Sequence, residues 1–243
     1  MKIGICDYGI GGLGLFKLIR PKTTVDIVYL SDSGYTPYGK LPEPELRTRL
    51  QKIIDYFHSQ GIQHIAVACN AASTVIPDEI NITGVIEHGV NAVIKAKPDK
   101  IGVVGGVRTI ESNLYKNAFE KVGIGTIQQP AQQLSIKIEA GDINSLELEL
   151  AIRDIFEPLK NLNYILLGCT HYPVIADKIR AFTNNTLLID PIPEMTEWIL
   201  RNWQELTGDQ TVEWITTGNI EKMKVASKNA FNLQIDNIQK ISL

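Results

Sequence analysis

A series of short apolar runs, separated by longer stretches of helical period, restricts this chain more than any other feature. The runs are Lys2–Cys6, Val25–Leu30, Ile62–Cys69, Thr83–Ile86, Ile101–Val104, Tyr164–Leu167, Leu187–Ile189 and Glu213–Thr216. A strand with one wet face alternates apolar and polar residues. One that is apolar throughout is covered on both faces, as strands of a parallel sheet are. Between the runs, Pro42–Gln60 puts Leu46, Leu50, Ile53, Ile54 and Phe57 on one helical face, and Gly61 stands where a C′ residue would close it. Glu111–Val122, Ser145–Lys160, Pro173–Phe182, Pro193–Leu206 and Ile220–Phe231 read as helices in the same way. Strands alternating with helices predict an open, doubly wound α/β architecture.

The polar, proline-containing break Lys95-Ala96-Lys97-Pro98-Asp99-Lys100 precedes a fresh strand–helix series. The chain therefore reads as two similar lobes, residues 1–96 with about 206–243, and 97–205. Each is expected to be an open, mostly parallel sheet flanked by helices, with the active site in the cleft between them. The 24 Lys+Arg against 27 Asp+Glu give a net charge of −3 without a basic block, which excludes binding nucleic acid through its phosphates. No apolar stretch approaches the roughly 18–20 residues that span a bilayer. Met1-Lys2-Ile3-Gly4-Ile5 runs straight into a core strand and leaves no room for a signal peptide. Three cysteines without a Cys-x-x-Cys argue against a disulfide framework or a structural zinc site. The expectation is a cytoplasmic protein that binds a small molecule, and neither nucleic acid nor membrane.

Ligands of open α/β sheets bind beyond the carboxyl ends of the strands. The residues following the runs are Asp7, Asp32, Cys69-Asn70, Glu87-His88, Gly105-Gly106, Cys169-Thr170-His171 and Asp190. Gly9-Ile10-Gly11-Gly12-Leu13-Gly14 fits G-x-G-x-x-G between a strand and a helix, and Asp32 lies where a ribose-binding acid would. Asp7 and bulky Tyr8 at the mouth of the loop oppose a pyrophosphate. The alternative is a tight turn whose glycines let helix and strand approach closely.

A buried cysteine taken singly reads as an inert core residue. Cys69 and Cys169 instead occupy equivalent strand ends in two similar lobes, which puts one thiol on each side of the cleft. Such a pair suits removal of a proton from one face of a carbon and its return to the other. A metal held by Cys69, Cys169 and His171 and a Cys–His hydrolase are the competing readings. Cys6 reads as core, and His58 and His64 as surface residues.

These motifs make the sequence resemble glutamate racemase of the aspartate/glutamate racemase superfamily. The matching segments are Ile5–Leu13, Asp32 through Pro37-Tyr38-Gly39, Ala68-Cys69-Asn70-Ala71-Ala72-Ser73, Gly84–Gly89 and Gly168-Cys169-Thr170-His171-Tyr172-Pro173. Ile101–Gly105 leading to Thr109-Ile110-Glu111-Ser112, and Trp214–Gly218, match more weakly, and all run in the family's order. The resemblance implies racemisation of L- and D-glutamate without cofactor or metal, supplying D-glutamate to peptidoglycan and so to cell shape, by an enzyme that often forms homodimers. It implies that Cys69 deprotonates the D-enantiomer with help from Asp7, and Cys169 the L-enantiomer with help from His171. Glu139 would match an acid near the second cysteine. Asn70, Thr170 and Thr109 would bind the amino and α-carboxylate groups, and Pro37-Tyr38-Gly39 the side-chain carboxylate. The family has serine where this chain has Tyr8 and usually threonine where it has Ala71. Those two replacements keep a racemase of another amino acid, or a non-catalytic amino-acid-binding homologue, as the alternatives.

Overall fold

The computed structural model describes residues 1–184 and 186–243. Among them run ten strands: β1 Lys2–Asp7, β2 Asp26–Ser31, β3 His64–Val67, β4 Ile82–Gly84, β5 Lys100–Gly105, β6 Gly125–Pro130, β7 Tyr164–Gly168, β8 Leu187–Ile189, β9 Val212–Thr216 and β10 Gln239–Lys240. They form a six-stranded sheet of order β10-β9-β2-β1-β3-β4 and a four-stranded sheet of order β6-β5-β7-β8. Every pairing is parallel. The α/β fold inferred from the continuous apolar runs is therefore present, as two separate sheets flanked by helices.

Helices cover both faces because each sheet is apolar on both. On one face of the first sheet, Ile3, Ile5, Ile27 and Tyr29 pack with Leu13, Phe16 and Ile19 of the helix Leu13–Ile19. Cys6, Val28, Ile65 and Val67 meet Leu46, Leu50, Ile53 and Phe57 of the helix Glu43–Ser59 on the other. Gly61, at φ +73°, closes that helix as its C′ residue. In the second sheet, Val104, Ile165 and Leu167 pack against Leu134, Ile138, Leu148 and Ile152, while Ile101, Val103 and Leu166 pack with Tyr115 and Phe119.

Two helices pack away from the sheet that their sequence position would assign them. Ile86 and Val93 of Val85–Ala96 sit in the core of the second sheet, and Ile192, Met195 and Ile199 of Pro191–Asn202 in that of the first. The run Thr83–Ile86 is not one strand. Gly84, in extended conformation, caps a helix that begins at Val85, so Glu87 and His88 lie in its first turns rather than at a strand end. No helix among the described residues is long and apolar enough to cross a membrane.

Candidate active site

The carboxyl ends of β1, β3, β5 and β7 line one pocket. From the elements of the first sheet come Asp7, Tyr8, Tyr38, Gly39, Cys69, Asn70 and Ala71, and from those of the second Thr109, Cys169, Thr170 and His171. The two cysteines, 100 residues apart in sequence, thus share a cavity of about 40 Å³, which is room for a few water molecules. Pro37 does not line it. That residue precedes the short 3-10 turn Tyr38–Lys40 and accepts the Lys40 N–H at 2.8 Å, so its part is to turn Tyr38 and Gly39 inward.

Cys169 Sγ lies 3.6 Å from His171 Nδ1, and His171 Nε2 lies 2.7 Å from Glu139 Oε2. That same oxygen accepts the backbone N–H of Ile10, from the glycine loop of the first lobe, at 2.8 Å. Burial alone would depress the His171 pKa. Its contacts with Cys169 and Glu139 outweigh burial and raise the imidazole well above its ordinary value. Glu139, which does not itself line the pocket, therefore holds His171 from behind.

Around Cys69 the electrostatics differ. Burial, then the charge of Asp7, push its thiol up, against the opposing backbone N–H groups of Ala72 and Tyr8. Asp7 is 3% exposed and accepts the Thr170 hydroxyl at 2.8 Å across the cleft. Burial raises its pKa as well, opposed by the His171 charge and the Thr170 bond. One thiol therefore faces an imidazole that favours protonation, and the other is kept neutral by burial beside an acid. Asn70 is buried, its Oδ1 accepting from the Tyr115 hydroxyl at 2.8 Å, while its Nδ2 has no partner.

The glycine loop holds no dinucleotide site. Asp32 is fully buried and committed to Arg49, whose Nε donates at 2.8 Å, and to the hydroxyls of Tyr38 and Thr217. No edge of it remains for a ribose. The glycines instead let the loop touch the other lobe. A Cβ on Gly9 would lie 2.0 Å from Glu139 Oε2, and one on Gly11 2.3 Å from Thr170 Oγ1. Among the described residues, no group of three or more His, Cys, Asp and Glu is disposed to hold a metal ion.

The model of the Asp/Glu/hydantoin racemase family matches residues 18–197, most of the chain. The chain belongs to this racemase family. It is similar to the glutamate racemase of Hydrogenobaculum sp. (strain Y04AAS1), 30% identical over 258 residues that cover 100% of this chain and 99% of that one. The glutamate racemase of Helicobacter pylori (strain G27) is 36% identical over 227 residues, 88% of this chain and 86% of its own. Among solved structures, glutamate racemase isoform RacE1 from Bacillus anthracis superposes with a TM-score of 0.87 at 25% identity, covering 99% and 97% of the two chains. The chain is thus an isomerase, an amino-acid racemase, and the resemblance to glutamate racemase noted from its motifs holds over its whole length.

Tyr8, where the family has serine, is half-buried in the wall of this racemase's pocket, its ring centroid 5.3 Å from that of Tyr38. Burial, with the charges of Glu139 and Asp32, pushes its phenol up to about 12, so it stays protonated. Ala71 lines the pocket without a hydroxyl. The strand ends did not point to Gln132, Ser135 or Tyr115. Gln132 and Ser135 lie on the helix Gln132–Glu139 behind the polar strand β6, and they bond to one another at 2.9 Å beside Gly39 and Gly106. Glu139, matched by the resemblance to an acid near the second cysteine, is the last residue of that helix. Cys6 is core, with burial raising its thiol. His64 is partly buried against Trp203, and His58 partly buried. Asp190 caps the helix Pro191–Asn202, accepting the Ile192 N–H at 2.9 Å.

Proposed function

We propose that this racemase interconverts L- and D-glutamate, with Cys69 and Cys169 as the two proton-transfer groups. One observation carries the reading: the two thiols line one pocket from different sheets, each with its own acid–base partner. In the L to D direction, Cys169 as thiolate, with His171 as imidazolium beside it, takes the α-proton. The Cys69 thiol then returns its own proton from the opposite face. In the reverse direction the Cys69 thiolate, with Asp7 assisting, takes the α-proton, and the Cys169 thiol returns its own proton from the opposite face, leaving Cys169 as the thiolate again. Glu139 orients His171.

An α-proton is very weakly acidic, so the developing charge on the α-carboxylate needs donors in a dry site. The Asn70 amide and the Thr109 and Thr170 hydroxyls are the candidates, and the Tyr38-Gly39 turn brought in by Pro37 would take the side-chain carboxylate. Every group in the scheme is a side chain or backbone atom of this chain, so it needs no cofactor. The cavity is narrow and lies between the elements of the two sheets, so substrate entry is expected to involve the lobes, 1–96 with about 206–243 and 97–205, parting and closing again. In a bacterial cytoplasm the product D-glutamate would serve peptidoglycan synthesis.

A second reading rests on Tyr8 and Ala71. A phenol fills volume where the family has a small hydroxyl, which favours an amino acid smaller than glutamate. Chiral chromatography after incubation with single enantiomers of a panel of amino acids separates the two. Conversion of either glutamate enantiomer to a 1:1 mixture is expected. Conversion of a smaller amino acid with glutamate untouched would transfer the function to the second reading, and conversion of none would remove both.

A further inference from the structure

We infer that Tyr115 is a positioning residue of this racemase, whose hydroxyl fixes the Asn70 carboxamide so that its NH₂ is presented to the substrate. The inference rests on the reading that an amino acid occupies the pocket, and goes beyond it in naming what keeps one of its binding groups turned the right way.

A carboxamide has one face that accepts and one that donates, and a carboxylate only accepts. Asn70, next to Cys69 in sequence, is useful to a substrate carboxylate only with its nitrogen toward the ligand. The amide oxygen is taken by the Tyr115 hydroxyl, which donates at 2.8 Å, and the nitrogen is buried without any partner. A buried N–H without an acceptor is unfavourable unless a ligand supplies one. Asn70 is a pocket residue, so the orphan donor belongs to the site.

Tyr115 is well held for this task. It is 1% exposed, lies on the helix Leu114–Glu120 of the second lobe, and stacks on Phe119 at 5.9 Å with the rings 19° apart. Its ring packs with Val103 and Leu166 of the second sheet. Gly89 makes room for its hydroxyl: a Cβ there would stand 2.5 Å from the Tyr115 Oη. Burial holds the phenol above its ordinary pKa, which keeps it a donor. Because Asn70 belongs to the first lobe and Tyr115 to the second, the bond forms only when the lobes are together. The amide is oriented at the moment that the pocket is complete.

Two variants and two readouts test this. Tyr115→Phe deletes the donor. Gly89→Ala keeps the phenol and displaces its hydroxyl. Each is expected to raise the KM for both enantiomers about fivefold to tenfold, with kcat changed less, the loss of one hydrogen bond. In an Asn70→Ala background, Tyr115→Phe is expected to add less than about twofold, because the two residues act through one bond. A wild-type KM in Tyr115→Phe, or losses that multiply in the double variant, would overturn the assignment while leaving the racemase reading intact. The Asn70 side-chain NH₂ resonances, identified by their disappearance in Asn70→Ala, give a readout independent of turnover. They should shift in Tyr115→Phe and Gly89→Ala. Unshifted resonances would overturn the bond even if glutamate were not the substrate.

Discussion

Gly11 lies so close to Thr170 that a Cβ added to it would stand 2.3 Å from the Thr170 Oγ1 and 2.8 Å from His171 Nδ1. The backbone at Gly11 is outside the left-handed region, so alanine is acceptable to the turn itself. What it obstructs is the approach of the two lobes. Gly11→Ala is therefore expected to lower kcat/KM by about 10²-fold, the scale of an ångström's misplacement of catalytic groups. The melting temperature should move by only a few degrees, about the effect of 1 kcal/mol or less. Steady-state kinetics with a thermal melt check this, and a wild-type kcat/KM would show that the lobes need not approach as closely as they do here.

The two thiols should differ in reactivity before substrate arrives. Cys69 is 8% exposed and its thiol is pushed up by burial and Asp7, whereas Cys169 is more exposed and contacts His171. Thiolate, not thiol, is alkylated. Limiting iodoacetamide should label Cys169 first, Cys69 slowly, and Cys6 only after unfolding, as read by peptide mass spectrometry. Labelling of Cys69 ahead of Cys169 would reverse the proposed resting assignment of acid and base.

His88 makes folding pH-dependent. It is fully buried, its Nε2 2.7 Å from the Thr83 hydroxyl and its ring 5.5 Å from that of Trp198. Burial lowers its pKa to about 4, partly offset by Glu194. The unfolded chain, with an ordinary histidine, binds the proton first as pH falls. The stability associated with neutral His88 is thus complete above about pH 6.5 and lost progressively toward pH 4. Between about pH 7.5 and about pH 5, urea unfolding should show the wild type losing about 2 kcal/mol relative to His88→Gln, in which the other titrating groups are unchanged. Equal pH dependence in both proteins would contradict this.

The sequence and the structure agree where burial is two-sided and part where it is not. β1, β2, β3, β5 and β7 were legible because both faces are covered and the runs are continuously apolar. β6 and β10 were not. Each is an edge strand, and β6 reads Gly-Thr-Ile-Gln-Gln-Pro, with polar residues that need only half a partner. Missing β6 also hid the helix after it, and with it Gln132 and Ser135, while Glu139 was placed near the second cysteine by the family resemblance alone. Asp32 looked like a ribose acid because spacing along the chain is blind to Arg49, 17 residues further on, which occupies its carboxylate. The paired cysteines were legible because each follows a core strand at the carboxyl edge of its own parallel sheet, where ligands bind. Tyr115 was not, since its hydroxyl reaches Asn70 only through tertiary packing.

The claim that two thiols act on opposite faces of one carbon is tested most directly by following α-proton exchange in deuterium oxide by NMR. Each glutamate enantiomer is to be followed with the wild type, Cys69→Ser and Cys169→Ser. The account predicts that the wild type exchanges the α-proton of both enantiomers as it racemises them, and that each serine variant loses racemisation. No exchange by the wild type, or racemisation at the normal rate by either variant, would contradict it.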